Sequence, residues 1–167
     1  NQHAGLYSVV VSSPYGTTTS SNASLWAVIL PEDFFDDFDP GIHSEQWLIM
    51  SGTVAATNIG GCVSGVNALW FGGDGERFAT TRSLNASAGG MIDFQLRLGN
   101  GLYPWEIPDL PGEGISLEFS TDQGSSWTLI RAYETYTFTN WTRVQETIPI
   151  EARRSATVFR WRQMLHS

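Results

Sequence analysis

From Ile92 to Leu98 the chain reads Ile-Asp-Phe-Gln-Leu-Arg-Leu, apolar and polar alternating without a miss. Successive side chains of an extended strand point to opposite faces, so this pattern belongs to a strand with one dry face and one wet one. Ile115, Leu117 and Phe119 repeat it against Ser116, Glu118 and Ser120. Further strands are expected over 46–50, 68–71, 77–81, 127–131, 143–148 and 157–163, separated by turns rich in Gly, Pro or Asn at spacings of about 10 to 15 residues. No window of about 11 residues carries a helical period. A sheet with one greasy face must cover it, and the economical solution is an antiparallel all-β sandwich of two sheets, of jelly-roll type. With 167 residues the chain can build one good core, burying roughly two thirds of its unfolded surface.

Charge narrows the choice of partners. Nine cations face 17 carboxylates for a net −8, and every cation is Arg. Nucleic-acid binding needs a basic face, and anionic lipid surfaces need a polybasic one; this chain has neither. Its longest apolar stretch, 25–31, falls far short of the roughly 20 residues that span a bilayer, so no membrane insertion is expected in this segment. A single cysteine, Cys62, excludes an internal disulfide and a four-cysteine zinc site. For nucleophilic or acid–base catalysis the sequence offers three scattered histidines, His3, His43 and His166, in no catalytic context. Gly72-Gly73-Asp74-Gly75 lacks the lysine and helix of a phosphate loop. No catalytic residue is assigned and a non-enzymatic role is expected.

Two units are expected, 1–30 and 31–167, divided near Pro31. The first reads as a hairpin, with strands at 6–11 and 23–28 around the turn-rich 12–17. Its His3-Ala4-Gly5-Leu6-Tyr7-Ser8-Val9 segment resembles the tyrosine-corner region of immunoglobulin-like domains, with Gly5 and Tyr7 in place, His3 where the family has Asp and Val9 where it has Cys. That resemblance makes residues 1–30 the C-terminal strands of such a domain; the alternative is an ordinary first hairpin of the second unit.

In the second unit, Ser120-Thr121-Asp122-Gln123-Gly124-Ser125-Ser126-Trp127 matches the Asp-box pattern at Ser120, Asp122, Gly124 and Trp127. Its chemistry is that of a hairpin turn: a carboxylate for backbone N–H groups, a glycine free to take positive φ, and an indole folding back over the turn. One box is too few for a propeller, which needs at least four blades. The run from Asp36 onward also resembles a reelin subrepeat. The motifs are Asp36-Asp37-Phe38, Trp47 to Gly52, Gly61 to Phe71, Arg77, Thr80 to Leu84, Phe94 to Gly99, the Asp box, Ile148 to Arg153 and Phe159-Arg160-Trp161. The resemblance implies a jelly-roll sandwich of secreted or cell-surface proteins, used for binding.

Departures from that family have consequences. The cysteine that would pair with Cys62 is replaced by Asn100, leaving Cys62 as a small buried hydrophobe or a reactive thiol. The family's closing Trp-x-Ile-Asp strand has no counterpart before Ser167, so the chain is expected to be a window on a longer secreted one. Subrepeats hold a structural calcium through acids near the first and last strands, and here the resemblance points to Asp36 or Asp37. Those two lie among five carboxylates between Glu32 and Asp39, where hard cations would find oxygen ligands; a solvated acidic strand entry is the alternative. Asp37 to Gly41 fails as an EF-hand because Pro40 intrudes.

Seven Trp residues mostly fall within expected strands, where core packing is their role. Tyr103 and Trp105 stand apart in the Gly/Pro-rich loop 99–114 and are the candidate ligand contacts. Three sequons, at Asn22, Asn85 and Asn140, would be surface glycan acceptors in a eukaryotic secretory chain, although disulfide-free modules in series suit a bacterial surface protein equally. The expected function is an extracellular binding or adhesion module with a protein or glycan partner at the cell surface. The alternatives are a carbohydrate-binding jelly roll and, last, part of a glycoside hydrolase.

Overall fold

The computed structural model describes residues 4–26, 28–57, 59–102, 112–134 and 136–164. Among them there is no α-helix, only three single 3-10 turns, and every strand pairing is antiparallel. The chain is an all-β sandwich whose sheets do not close into a barrel.

Strands β1 (Gly5–Tyr7), β2 (Val10–Ser13), β3 (Gly16–Thr19) and β4 (Ala23–Leu25) form one long ribbon, β1 on β4 and β2 on β3. The turn is tighter than the sequence implied, because Ser12, Ser13, Gly16 and Thr17 are paired and only Pro14 and Tyr15 reverse the chain. All described residues of this ribbon are exposed.

Among the described residues the body is built from nine strands. β5 (Trp47–Ser51), β8 (Arg77–Thr81), β13 (Val158–Gln163), β10 (Ile115–Ser120) and β11 (Thr128–Tyr133) make a five-stranded sheet in the order β11-β10-β13-β8-β5. β9 (Met91–Leu96) pairs with β12 (Thr142–Thr147), and β6 (Thr53–Thr57) with β7 (Asn67–Phe71). Every strand expected in this region is present within one or two residues. β6 was not anticipated: Thr-Val-Ala-Ala-Thr carries too little apolar contrast to announce a strand, and it is its pairing with β7 that makes it one.

Packing accords with the alternation. Ile92, Phe94 and Leu96 turn inward while Met91, Asp93 and Gln95 face water. Across from them Ile115, Leu117 and Phe119 are buried, and Leu117 is completely inaccessible. Phe94 meets Trp161 edge-on at 5.5 Å and Tyr133 at 5.8 Å, so aromatic side chains of β9, β11 and β13 fill the space between the layers. A second cluster of Leu84, Ala86, Phe119, Ile148, Ala152 and Phe159 continues the core, capped by Phe34 from the loop before β5.

Contrary to expectation, the polar face of β10 is dry: Ser116, Glu118 and Ser120 are all buried. β10 is a central strand, and the turn at its C-terminal end folds back over its outer face. Glu118 is compensated there by the Arg160 guanidinium, with Nε 2.8 Å from its Oε2, and that guanidinium stacks 3.8 Å from the centroid of the Trp127 ring. A buried acid without such a partner would be strongly destabilising. Alternation in sequence announced a strand correctly and its solvent exposure incorrectly, because periodicity does not see what covers the far face.

Candidate functional site

The loop from Pro31 to Trp47 is tied to the body at several points. The Pro31 carbonyl accepts the Asn85 amide at 2.7 Å, and the buried Asn67 side chain donates to the carbonyls of Phe38 and Pro40 at 2.8 and 3.0 Å. Asp39 grips the backbone N–H of Val66 with both carboxylate oxygens, at 3.0 and 3.2 Å. That approach requires Gly65, which has φ +60° and whose absent Cβ would overlap the Asp39 carboxylate.

Asp36 organises the centre of the loop. Its side chain is fully inaccessible, and each oxygen accepts two hydrogen bonds. Oδ1 takes the Phe38 N–H at 2.8 Å and His43 Nδ1 at 2.9 Å. Oδ2 takes the His43 N–H at 3.1 Å and the Trp47 indole N–H at 2.7 Å. Asp37 lies on the exposed side, its Oδ1 accepting the Asp39 N–H at 3.2 Å and standing 3.9 Å from His43 Nδ1. The hydrogen bond to Asp36 is the main cause that raises the His43 pKa above its ordinary value, against a smaller opposing effect of burial.

Asp36, Asp37 and His43 bring three potential metal-ligand atoms within 4.8 Å of one another. The set does not fit calcium. A carboxylate offers about four lone-pair positions, and all four on Asp36 already face N–H donors. Calcium also takes roughly six to eight oxygens, and the third member here is an imidazole nitrogen held as a donor. What the arrangement does chemically is pin a loop: one carboxylate ties residues 38, 43 and 47 together and sets the Trp47 ring against Phe34 (5.0 Å, edge-on) and Trp161 (6.1 Å).

The turn at 120–127 joins β10 to β11. Ser120 Oγ donates to Asp122 Oδ1 at 2.7 Å and accepts the Gly124 N–H at 2.8 Å; the Asp122 carboxylate takes the Ser126 N–H at 2.9 Å and its hydroxyl at 2.6 Å. These donors, the Ser126 and Ser120 hydroxyls first, lower the Asp122 pKa to about 2. Gly124 sits at φ +90° with the Trp127 ring beneath it, 3.3 Å from where a Cβ would be. All four residues of the motif therefore serve the turn, and Trp127 serves Arg160 as well.

Tyr103 and Trp105 lie outside the described residues. Cys62 is a free, partly exposed thiol in the loop between β6 and β7. Sequence reasoning missed His43 and Trp47 as partners of Asp36, and Arg160 as partner of Glu118. The first two stand 7 and 11 residues along the loop and the third 42 along the chain, separations at which no local motif signals contact.

The family model for reelin subrepeat B matches residues 53–167, more than two thirds of the chain. The chain belongs to the reelin subrepeat B family. Reelin subrepeats are non-catalytic domains of larger extracellular proteins. In this subrepeat the matched span takes in every strand of the sandwich except β5, and Asp36 and Asp37 lie before it.

Asp36→Ala takes the acceptor from four part-buried donors and should destabilise the fold by roughly 3 kcal/mol in urea unfolding, while chelation of divalent cations leaves the melting temperature of the wild type unchanged; a drop on chelation would restore calcium to this loop. Asp122, held below its unfolded value of 3.8, contributes stability that is complete above that pH and lost as pH falls towards about 2. Urea unfolding at a series of pH values should show that loss in the wild type and not in Asp122→Asn, and identical profiles would contradict it.

Proposed function

We propose that this subrepeat is a non-catalytic binding or adhesion module of a larger extracellular protein, presenting a rigid β surface to a protein partner. The match to reelin subrepeat B over 53–167 carries the reading. The disposition of charge supports it. Glu118 is committed to Arg160, Glu146 to Arg131 and the Tyr133 hydroxyl, Asp93 to Arg143 and Gln145, and Asp36 to its four donors. These four acids are spent on holding the described part of the sandwich together. Among the described residues no helix is long and apolar enough to cross a membrane.

The exposed ribbon belongs, in this proposal, to a preceding domain that resembles the immunoglobulin type. An isolated two-stranded ribbon is marginal in water. This one exposes Leu6, Tyr7, Val9, Val10, Val11 and Leu25, apolar side chains that strands inside a domain would cover. Pro31 is bonded to the body through its carbonyl and the Asn85 N–H, which supports a junction near it.

Flow cytometry with the fluorescently labelled chain on cultured cells tests the reading. Saturable binding that is lost when surface proteins are shaved with trypsin, and kept after enzymatic deglycosylation, is the expected result. Loss on deglycosylation would transfer the module to carbohydrate recognition, and either no saturable binding or turnover of a glycoside substrate would overturn the proposal.

A further inference from the structure

The sequons at Asn85 and Asn140 have equal standing in sequence, and the fold separates them. Asn140 is exposed in the turn that leads from the 3-10 turn Tyr136–Phe138 into β12. No described residue bonds its side-chain amide. Thr142, whose hydroxyl completes the sequon, is the first residue of β12, and that hydroxyl donates to the Asn140 carbonyl at 3.0 Å, leaving the amide free of the local turn. Phe138 and Thr142 anchor the flanks: the Phe138 carbonyl accepts the Leu98 N–H at 2.7 Å, and Thr142 pairs with Leu96 at the end of the β9–β12 ladder. A large hydrophilic substituent on this amide would project from the rim of the sandwich without displacing any contact.

Asn85 is the opposite case. Its amide nitrogen donates to Glu32 at 3.1 Å, and its carbonyl oxygen accepts both the N–H (3.3 Å) and the hydroxyl (2.6 Å) of Ser87, the residue that completes its sequon. Its backbone N–H is bonded to Pro31, and its neighbours Leu84 and Ala86 are buried in the core. The linker residues 31 and 32 thus lie across this asparagine. A sugar on its nitrogen would replace one of its two N–H groups and crowd the Glu32 side chain on a half-buried residue already bonded through both side-chain atoms, a crowding that Asn140 does not meet.

We infer that Asn140 is an N-glycan acceptor and that Asn85, with the same sequon, carries no glycan in the folded protein. In the step, the Asn140 Nδ2 bonds to the anomeric carbon of an oligosaccharide carried on a lipid pyrophosphate. The carbon–oxygen bond to pyrophosphate breaks, the lipid pyrophosphate leaves with the electron pair, and the displaced amide proton passes to a base of the host transferase. Because transfer precedes folding, Asn85 is excluded by its consequence: a sugar there crowds Glu32 beside the buried Leu84 and Ala86, and a chain that folds poorly for that reason is retained instead of secreted.

The inference rests on the extracellular reading. Its test is independent of partner binding, since a secretory leader places the whole chain in the lumen in any case. The 167-residue chain is expressed behind such a leader in a eukaryotic cell line. The secreted fraction is then analysed by peptide mass mapping before and after enzymatic removal of N-glycans in heavy-oxygen water. The peptide containing Asn140 should be glycosylated in most molecules, with deglycosylation leaving a labelled aspartate at that position, and the Asn85 peptide should be unmodified. Thr142→Ala should abolish the modification at Asn140 while Ser87→Ala changes nothing in the glycan pattern. An unmodified Asn140 peptide, or a secreted chain glycosylated at Asn85, overturns the inference.

Discussion

The structure depends on the burial of one strand face. Ile115, Leu117 and Phe119 on β10 meet the inward side chains of β9, β12 and β13, and the two hydrophobic clusters join across them. β10 pairs with β11 on one side and β13 on the other, so its backbone groups are satisfied within the sheet while its apolar face closes the sandwich. Truncating a side chain as enclosed as Leu117 typically costs about 2 to 5 kcal/mol, a large share of the stability of a domain this size. In the absence of a disulfide this face supplies what a covalent staple would otherwise provide.

Among the described residues, charged and polar groups pair with one another around that core. The turn between β10 and β11 sends Trp127 back over Arg160, which in turn neutralises Glu118, so a carboxylate on a buried face is tolerated. At the rim, Glu146 projects from β12 towards β11 and is held by Arg131 at 3.1 Å and the Tyr133 hydroxyl at 3.0 Å. Burial and this acid push the Tyr133 pKa far above its ordinary value, keeping the hydroxyl a donor. Asp36 does for the entry loop what these pairs do for the sheets. Pairing of this kind accords with the non-catalytic family to which the chain belongs.

Much of this was legible in the sequence. The clean alternation from Ile92 to Leu96, the strand at β10 and the Ser120 to Trp127 turn are local patterns, set by side-chain direction and by a glycine that takes positive φ. Three things were hidden. β6 lacks apolar contrast and exists because β7 lies beside it. The dryness of Glu118 depends on Arg160, distant in sequence. The saturation of Asp36 by His43 and Trp47 depends on a loop path that no spacing encodes, so the acidic run invited a cation where the fold supplies N–H donors instead. Local physics announces elements; which polar groups find each other is decided only when those elements pack.

Native-state hydrogen exchange of the intact chain, resolved residue by residue by NMR, tests most directly the claim that the sandwich is organised around β10 while the ribbon stands outside it. The slowest amides should lie in β10 and β13 and exchange only through global unfolding, while amides at 5–25 exchange at least about 100-fold faster. Protection in the ribbon equal to that in β10, or exchange from β10 as fast as from the ribbon, would contradict this account.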